Sequence, residues 1–338
     1  ASHPLPPLIV RQHYEPARQF VILTPNGAEI MKSLRPVDVL SQLLQQHGGP
    51  ESDVVKAHFQ SQTEDQACAT CLLLACDLSV QNTQLAEWAT RAFFLYGGEP
   101  KVASAQVLSP SSFQYSLPPG FNPGSVSTPV GRSVYSPPDN CAVQFSAKHN
   151  GLYLFISRIL RPLWHSRIVQ RVSISGKQYL VSSVSGKEVT VVASKLLALR
   201  SFLEKNTQFT YNPSLQSYMT TMETTPVTAG RSRLQEVQLQ EKHSLDALST
   251  LVDHSCQVLG LWKIMCEHQF HVITDTMPPE QQTEMGMATF RDLIIVGQDI
   301  CTTLINKLIN TYLSDNTSID PISVKLRNTC PKLYRNED

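Results

Sequence analysis

The chain lacks the features that mark several large classes of protein. Its 28 basic and 28 acidic residues leave no net charge, whereas a nucleic-acid-binding protein needs a basic excess on one face to neutralise phosphates. No apolar run reaches the roughly 18 residues that indicate a transmembrane helix. The sequence starts at Ala1 with neither an initiator methionine nor a signal-peptide pattern, so we expect a piece of a longer protein.

The short motifs that carry catalysis or nucleotide binding are also missing. The sequence contains no GxxxxGK[ST] or GxGxxG phosphate loop, no GxSxG nucleophile elbow and no HExxH zinc helix. Gly176-Lys177 and Gly186-Lys187 lack the upstream glycine of a phosphate loop. We therefore predict that the chain is not an enzyme and has no catalytic residue, cofactor or small-molecule substrate.

Cysteine is present, but its placement does not favour disulfides or metal. Most of the cysteines lie in helical patterns of a large chain, where a free thiol behaves as a small buried apolar group. This indicates a reducing compartment. The eight positions are 68, 71, 76, 141, 256, 266, 301 and 330.

Two clusters come nearest to a metal site. Cys68-x-x-Cys71 with Cys76 offers three of the four ligands that zinc needs, and no second pair or histidine lies at suitable spacing. His268 and His271 follow Cys266 one helical turn apart, a spacing at which two side chains can share an ion. Unliganded histidine at the polar edge of a packed helix is much commoner. We predict no metal at either place.

Residues 63–98 predict two amphipathic helices in succession. Thr63 and Gln66 have the spacing of a capping box at the start of the first helix. Gly97-Gly98 is typical of the C-terminal end of the second. Each helix has apolar residues on one face, which must be buried by packing helix on helix. The two stripes are Ala67, Cys68, Cys71, Leu72, Ala75 and Cys76, then Leu85, Trp88, Ala89, Ala92, Phe93 and Tyr96.

Helical periodicity continues to the C-terminus. A long pattern from Leu234 to about Ile273 is expected to break near Gly260, because single globular helices rarely reach that length. Asp320-Pro321 predicts the start of the last helix. About ten irregular helices in tandem favour an α-solenoid, whose repeats contact mainly their neighbours. One small hairpin is expected around Gly176-Lys177.

The N-terminal residues predict strands instead. Leu8–Val10 and Phe20–Leu23 are short, partly β-branched apolar runs, and Thr24–Gly27 is a turn signal that favours a hairpin. Two or three strands alone are marginally stable in water. We expect them to join a sheet whose other strands lie upstream of the chain.

Residues 100–138 predict a disordered Pro/Ser-rich insertion. They include eight prolines, nine serines and no acidic residue, a composition that buries too little apolar surface to offset the entropy of ordering. Ser109, Thr128 and Ser136 each precede a proline and are candidate phosphorylation sites. The segment is either a partner-binding or phosphorylated element or a tolerated surface loop.

The three tryptophans, Trp88, Trp164 and Trp262, lie in helical stripes. Core packing is the first interpretation, with Trp88 at the centre of a helix–helix contact. A groove between helices is also a place where a partner segment can dock beside an aromatic side chain. The sequence leaves both interpretations open.

Several segments, found in the same order along the chain, match one known family. Their long motifs are specific, because no general rule of helix formation demands Trp-Ala-Thr-Arg-Ala-Phe-Phe. From about Val10 to Tyr334 the chain resembles the middle portion of the large non-FG scaffold nucleoporins of the nuclear pore inner ring, the 155/170-kDa nucleoporin family. The segments are LRPVD (Leu34–Asp38), DQACATC (Asp65–Cys71), WATRAFFLYGGE (Trp88–Glu99), KHNGLYLFISRIL (Lys148–Leu160), LGLWKIMCEHQF (Leu259–Phe270), TFRDLII (Thr289–Ile295) and LINTYLSDN (Leu308–Asn316).

The resemblance implies a mainly α fold: an α-solenoid of irregular helical repeats preceded by the last strands of a β-propeller. The expected division is 1–35 for the propeller strands, 36–98 for the first solenoid helices, 99–147 for the disordered Pro/Ser/Gly-rich loop and 148–338 for the rest of the solenoid. No Phe-Gly dipeptide occurs, so the chain is not a transport-barrier repeat region.

The resemblance also implies a function. It implies a structural scaffold of the nuclear pore complex at the nuclear envelope, supporting pore assembly and nucleocytoplasmic transport. The implied partners are other inner-ring and linker nucleoporins, with the pore membrane near the upstream propeller and no direct nucleic acid. The alternative is a helical-repeat adaptor or a vesicle-coat-like scaffold subunit, which shares the propeller-plus-solenoid plan.

Overall fold

The computed structural model describes residues 5–77, 83–102, 143–210, 229–268, 270–312 and 316–334. Within these ranges the chain forms fourteen helices and three two-stranded antiparallel ladders, β1–β2, β3–β4 and β5–β6. The predicted mainly α fold is confirmed. The helices are α1 (Leu8–Arg11), α2 (Pro36–Gln46), α3 (Asp53–Gln62), α4 (Glu64–Ala75), α5 (Thr83–Tyr96), α6 (Ala147–Trp164), α7 (Gly186–Lys205), α8 (Thr207–Thr210), α9 (Ala229–Glu267), α10 (Phe270–Asp275), α11 (Pro279–Met287), α12 (Phe290–Ile295), α13 (Gln298–Tyr312) and α14 (Asn316–Thr329). The strands are β1 (Gln19–Thr24), β2 (Gly27–Lys32), β3 (Lys101–Val102), β4 (Val143–Gln144), β5 (Val169–Ile174) and β6 (Lys177–Ser182).

The helices pack mainly on neighbours that are close along the chain. Helices α2, α3 and α5 contact α4, and α4 lies against α6, the next helix after the insertion. Helix α6 contacts α7, which packs along the long helix α9. Helix α9 then contacts α12, α13 and α14. A single hydrophobic core therefore runs from Val37 to Leu333.

Helix α4 is buried on nearly every side, so the predicted one-sided stripe is wrong. Six consecutive residues, Ala67 to Leu72, are buried. The cause is the number of neighbours, because α2, α3, α5 and α6 all contact this helix. Its one buried polar side chain is satisfied: the hydroxyl of Thr70 donates to the carbonyl of Gln66 at 2.8 Å and accepts from Gln12 at 3.1 Å.

The capping box predicted for Thr63 and Gln66 does not form. Helix α3 ends at Gln62 and α4 begins at Glu64, so Thr63 is a one-residue bend with φ of 65° and no side-chain bond to the helix. The Gln66 amide oxygen instead accepts a hydrogen bond from Arg158 of α6 at 2.5 Å. The carboxylates of Glu64 and Asp65 lie in the first turn, where they stabilise the positive end of the helix.

Two glycines permit close packing at the junction of α4, α5 and α6. A Cβ at Gly151 of α6 would lie 2.5 Å from the Cβ of Cys68, so the two helices cross in direct contact there. Helix α5 ends at Tyr96, as predicted, and Gly98 takes a positive φ of 62°. A Cβ at Gly97 would lie 2.2 Å from the Lys148 side chain. Small residues here are explained by packing.

Helix α9 does not break at Gly260, contrary to the prediction. It runs unbroken over 39 residues from Ala229 to Glu267. The glycine has a different cause, since a Cβ there would lie 2.4 Å from the Thr329 side chain of α14. Packing against other helices along its length stabilises a helix longer than the usual range. The helical segment before Met277-Pro278 ends at Asp275, close to the predicted stop. The following helix, α11, was not predicted.

The C-terminal core surrounds Trp262, which is fully buried. Its ring lies 5.2 Å from Phe270 and 5.4 Å from Phe290, and its indole N–H donates to the hydroxyl of Ser182 at 3.0 Å. Ser182 ends the β5–β6 hairpin, which confirms the hairpin predicted around Gly176.

Both chain ends differ from the sequence-based expectation. Leu8–Val10 belongs to helix α1 rather than a strand, because the turn docks on other helices: the Gln12 side chain accepts from the backbone N–H of Val37 at 2.8 Å. Helix α14 begins at Asn316, not at Asp320, so Pro321 is its sixth residue. A proline at this position removes one i→i−4 hydrogen bond, because only the first four N–H groups of a helix lack a partner within it.

The ends of the proline-rich segment are held together. Lys101 pairs with Gln144 and Val102 with Val143, and helix α6 begins three residues after this two-residue ladder. The Lys148 ammonium bonds the Glu99 carboxylate at 2.6 Å beside it. Residues 103–142, including Ser109, Thr128, Ser136 and Cys141, lie outside the described residues.

Candidate interaction surfaces

The hairpin β1–β2, called here the N-terminal hairpin, exposes an unusual amount of apolar surface. Its register pairs Gln19 with Lys32 through to Thr24 with Gly27, and every residue of both strands is exposed. Leu23 is 80% exposed. The other large apolar side chains that it exposes are Phe20, Val21, Ile22, Ile30 and Met31.

Exposure on both faces leaves this hairpin without a core of its own. Among the described residues the two strands pair only with each other, and an isolated two-stranded ladder is marginally stable in water. Its outer edges present free backbone N–H and C=O groups, which favours pairing with further strands. Contiguous apolar exposure of this kind marks an interaction surface. The N-terminal hairpin is thus one candidate interface.

A second candidate is a groove between α6 and α9, called here the Arg158 groove. It has a volume of about 570 Å³, within the usual range for sites that hold a ligand or an anchoring side chain. Its walls combine aromatic, aliphatic and cationic groups. The principal lining residues are Tyr153, Arg158, Arg161, Trp164, Leu248 and Leu251.

Arg158 is an unusual residue at the bottom of that groove. Only 8% of it is exposed, and its single side-chain hydrogen bond within the described residues goes to the neutral amide of Gln66. Burial lowers the pKa of its guanidinium, and no carboxylate raises it. Among the described residues Arg158 therefore has no carboxylate partner, although a buried cation is ordinarily paired.

A polar cavity of about 430 Å³ lies near the same region, on the side of α1 and α7. The two ring nitrogens of His13 are buried there, next to the backbone of Val10 and Arg158. Burial, and then the charge of Lys195, lower the pKa of His13 to about 4. The Lys195 ammonium donates to the His13 carbonyl at 2.5 Å. His13 is therefore neutral at physiological pH.

The cysteines lie in packing positions. The seven that the structure describes are free, and Cys68, Cys71, Cys256, Cys301 and Cys330 are buried. Burial raises the pKa of each thiol, to about 12 for Cys76 and about 11 for Cys330. Within the described ranges no group of three or more His, Cys, Asp or Glu side chains is placed to hold a metal ion.

The two histidines near Cys266 are separated by the break between α9 and α10. His268 contacts Tyr312, with 3.3 Å from its Nδ1 to the phenol oxygen. His271 packs edge-on against Tyr179, 5.7 Å between ring centres. Each ring thus has an aromatic neighbour of its own, and the structure does not bring the two together on one helix.

The tryptophans divide between core and surface. Trp262 is a core residue, whereas Trp88 and Trp164 are half-buried. Placing Trp88 at the centre of a helix contact was therefore wrong: its indole lies at the edge of α5, over Gly49 in the loop after α2. Trp164 borders the Arg158 groove.

Sequence reasoning missed Arg158 as a candidate residue. The available signal was an arginine among the closely spaced apolar residues of α6, between Ile156 and Ile159. Its burial depends on α4 and α9, which are distant in sequence.

No described helix is long and apolar enough to span a membrane.

Comparison with known proteins gives one consistent family. Residues 146–338 match the family model described as non-repetitive/WGA-negative nucleoporin C-terminal. The chain is 35% identical to nuclear pore complex protein Nup154 of Drosophila melanogaster over 95% of its length. It is 21% identical to nucleoporin NUP170 of Chaetomium thermophilum, again over 95% of its length.

The solved structures agree on the fold. A crystal structure of a Chaetomium thermophilum Nup170 NTD–Nup53 complex matches 89% of the chain with a TM-score of 0.60 at 17% identity, over 35% of the matched chain. This likeness shows the fold alone. The chain spans 27% of the Drosophila relative and 21% of the Chaetomium one, so it corresponds to about a quarter of such proteins.

Proposed function

The chain belongs to the non-repetitive/WGA-negative nucleoporin family, and from this we propose that it is part of the structural scaffold of the nuclear pore inner ring. The observation that carries the proposal is the family match over residues 146–338, within a fold shared with Nup170 over 89% of the chain. The family is one of structural nucleoporins, not of enzymes. In this proposal the chain acts at the nuclear envelope and supports pore assembly and transport.

The proposed mechanism is geometric. Helices that pack on their sequence neighbours along one continuous core form an α-solenoid, which holds surfaces at fixed relative positions. Close contacts such as Gly151 against Cys68 and Gly260 against Thr329 resist sliding of one helix past another. The chain performs no catalysis and binds no cofactor or small-molecule substrate in this proposal.

The proposed partners are other nucleoporins of the inner ring and its linkers. A structural relative was solved as a complex with Nup53, which supports binding of a linker nucleoporin of that kind. The zero net charge of the chain gives no support to direct binding of nucleic acid.

The N-terminal hairpin is proposed to be the last part of a β-propeller whose other strands precede the chain. Its unpaired edges and exposed Phe20, Leu23 and Ile30 support this, because added strands would cover both. The division into 1–35, 36–98, 99–147 and 148–338 remains our proposal. Any contact with the pore membrane would come through that upstream propeller.

Within the proposed loop 99–147, residues 103–142 are proposed to be an insertion that the core does not require, whereas Ser146 and Ala147 at its end are buried. The ladder that joins Val102 to Val143 supports this, since it closes the insertion close to α6. Phosphorylation at Ser109, Thr128 or Ser136 would add charge to the segment without entering the core.

Cross-linking mass spectrometry on isolated nuclear envelopes tests the scaffold proposal. Lysines on separate helices, such as Lys56 of α3 and Lys263 of α9, serve as reporters. Cross-links from both to inner-ring or linker nucleoporins are expected. Absence of the chain from pores, or cross-links to vesicle-coat subunits, would replace the proposal with the adaptor function.

A further inference from the structure

We propose that the Arg158 groove binds an extended segment of a partner protein that carries an acidic residue flanked by apolar ones. The carboxylate would pair with the guanidinium of Arg158, and the flanking side chains would lie against Trp164, Leu248 and Leu251. This inference rests on the proposed scaffold function, because it assigns a surface by which the scaffold holds a partner.

The unpaired buried charge of Arg158 is the first support. Placing a cation in a low-dielectric site is costly unless an anion or several hydrogen bonds compensate it. Here the compensation is one bond to Gln66. A guanidinium has five N–H donors that match a carboxylate in two-pronged geometry. The groove therefore has an unfilled place for an anionic group.

The charge around the groove is of one sign. Arg161 stands exposed at its rim and forms no ion pair with any described residue, and His165 lies beside it. No acidic residue lines the groove. An acidic partner is therefore favoured over a basic or neutral one.

The apolar side chains that line the groove are the reason for expecting apolar residues in the ligand. Trp164, Leu248 and Leu251 are half-buried, and Tyr153 is exposed. Aromatic and leucine side chains around a buried charged group form the usual pattern of an anchoring pocket on a partner surface. The volume of about 570 Å³ accommodates a few side chains and no folded domain. This size is why we commit to a peptide segment.

The Pro/Ser-rich residues 100–138 of the chain itself include no aspartate or glutamate. Asp139 follows them directly, but the next residue is the polar Asn140, so Asp139 is not flanked by apolar residues on both sides. A second copy of the chain remains an outcome of the test, which would show itself as concentration-dependent association.

The test begins with a phage-displayed library of random twelve-residue peptides. It is selected on the 338-residue chain after depletion on the Arg158→Gln variant. Enriched peptides are synthesised with a fluorescent label and their dissociation constants are measured by polarisation. We expect enriched sequences with an aspartate or glutamate between apolar residues, and at least tenfold weaker binding to Arg158→Gln.

Two variants of the chain and one of the peptide separate the contributions of the Arg158 charge, of the apolar wall and of nonspecific binding. Leu248→Glu brings a carboxylate into the groove and should abolish binding while Arg158 stays in place. Arg171→Gln removes an exposed arginine on β5 and should bind like the wild type. Replacing the acidic residue of the peptide by its amide should weaken binding as much as Arg158→Gln does.

A stability measurement excludes a purely structural role for Arg158. Arg158→Met keeps the length of the side chain and removes an uncompensated buried charge, so its melting temperature should equal or exceed that of the wild type. A large fall would show that Arg158 stabilises the free chain, and would overturn the proposal.

Two other results would also overturn it. One is enrichment of peptides that lack an acidic residue or bind Arg158→Gln equally well. The other is self-association of the chain that Leu248→Glu abolishes, which would give the groove to a second copy. If the peptide selection fails but the cross-links to inner-ring nucleoporins form, the groove proposal is rejected and the scaffold function stands. If the selection succeeds but those cross-links do not form, the scaffold function is rejected.

Discussion

The carboxylate of Glu241, on helix α9, accepts two hydrogen bonds from Ser146, the residue that caps α6. The backbone N–H of Ser146 donates at 2.5 Å and its hydroxyl at 2.8 Å. Glu241 is buried, and its negative charge faces the positive end of the α6 helix. A side chain nearly 100 residues along the chain thus stabilises the start of α6.

Replacing this carboxylate should destabilise the chain. Glu241→Gln keeps the shape and removes the charge, so we expect a loss of about 1–2 kcal/mol in the free energy of unfolding. Urea denaturation followed by circular dichroism measures it. Glu236→Gln, on an exposed position of the same helix, is the control and should change little. Equal stability of the two variants would show that the Ser146 contact contributes nothing.

The crossing of α4 and α6 should tolerate no added methyl group. Gly151→Ala places a Cβ 2.5 Å from that of Cys68, and we expect a cost of about 1–3 kcal/mol from overpacking. Gly286→Ala is the matched control, because no atom lies within 4 Å of its added Cβ. It should raise helix stability by up to about 1 kcal/mol. Opposite signs in thermal denaturation are the expected result.

The tryptophans should differ sharply in their contribution to stability. Trp262→Ala empties a fully buried site and should cost about 3–5 kcal/mol. Trp88→Ala removes a half-buried ring at the edge of α5 and should cost only about 1–2 kcal/mol. Chemical denaturation of both variants gives the comparison. A larger loss for Trp88 than for Trp262 would contradict the packing described here.

Stability should fall in alkaline solution because of the buried thiols. Burial raises the pKa of Cys76 and Cys256 to about 12 in the folded chain, against about 8.5 in the unfolded chain. Above pH 8.5 the unfolded state loses these protons first, so the stabilisation is complete below that pH and declines as pH rises toward 12. Melting temperatures from pH 8 to 11 test this, and Cys76→Ala should reduce the decline.

The same burial predicts unreactive thiols and no bound zinc. A thiol-specific reagent at pH 8 should label the seven described cysteines of the native chain slowly and all eight cysteines after unfolding. Elemental analysis should find no stoichiometric metal, and a chelator should leave the helical signal unchanged. Loss of helicity with the chelator would indicate a structural metal.

Local patterns predicted the individual helices well, because caps and periodicity act over a few residues. The end of α5 at Tyr96, just before Gly97-Gly98, and the hairpin at Gly176 followed from the sequence directly. The errors arose where distant contacts decide. Gly260 looked like a break because the approach of Thr329 is invisible in the local sequence, and Gln66 was taken for a cap because its partner Arg158 lies on another helix.

The candidate surfaces were less accessible to prediction than the fold. Phe20–Leu23 was recognised as a strand, but its complete exposure emerged only from the arrangement of the whole chain. Arg158 was indistinguishable from any helical arginine until α4 and α9 were placed around it. Burial is a property of the tertiary fold, so a site defined by an unpaired buried charge is found only in the structure.

The most direct test of the scaffold account is to locate the chain in assembled pores. A small epitope inserted between residues 120 and 121 of the full-length protein, within the proposed insertion, can be marked with a bound antibody fragment and imaged by cryo-electron tomography of nuclear envelopes. The account predicts extra density on the inner ring in the labelled pores alone. Density on the outer rings, or none at pores despite normal expression and labelling, would contradict it.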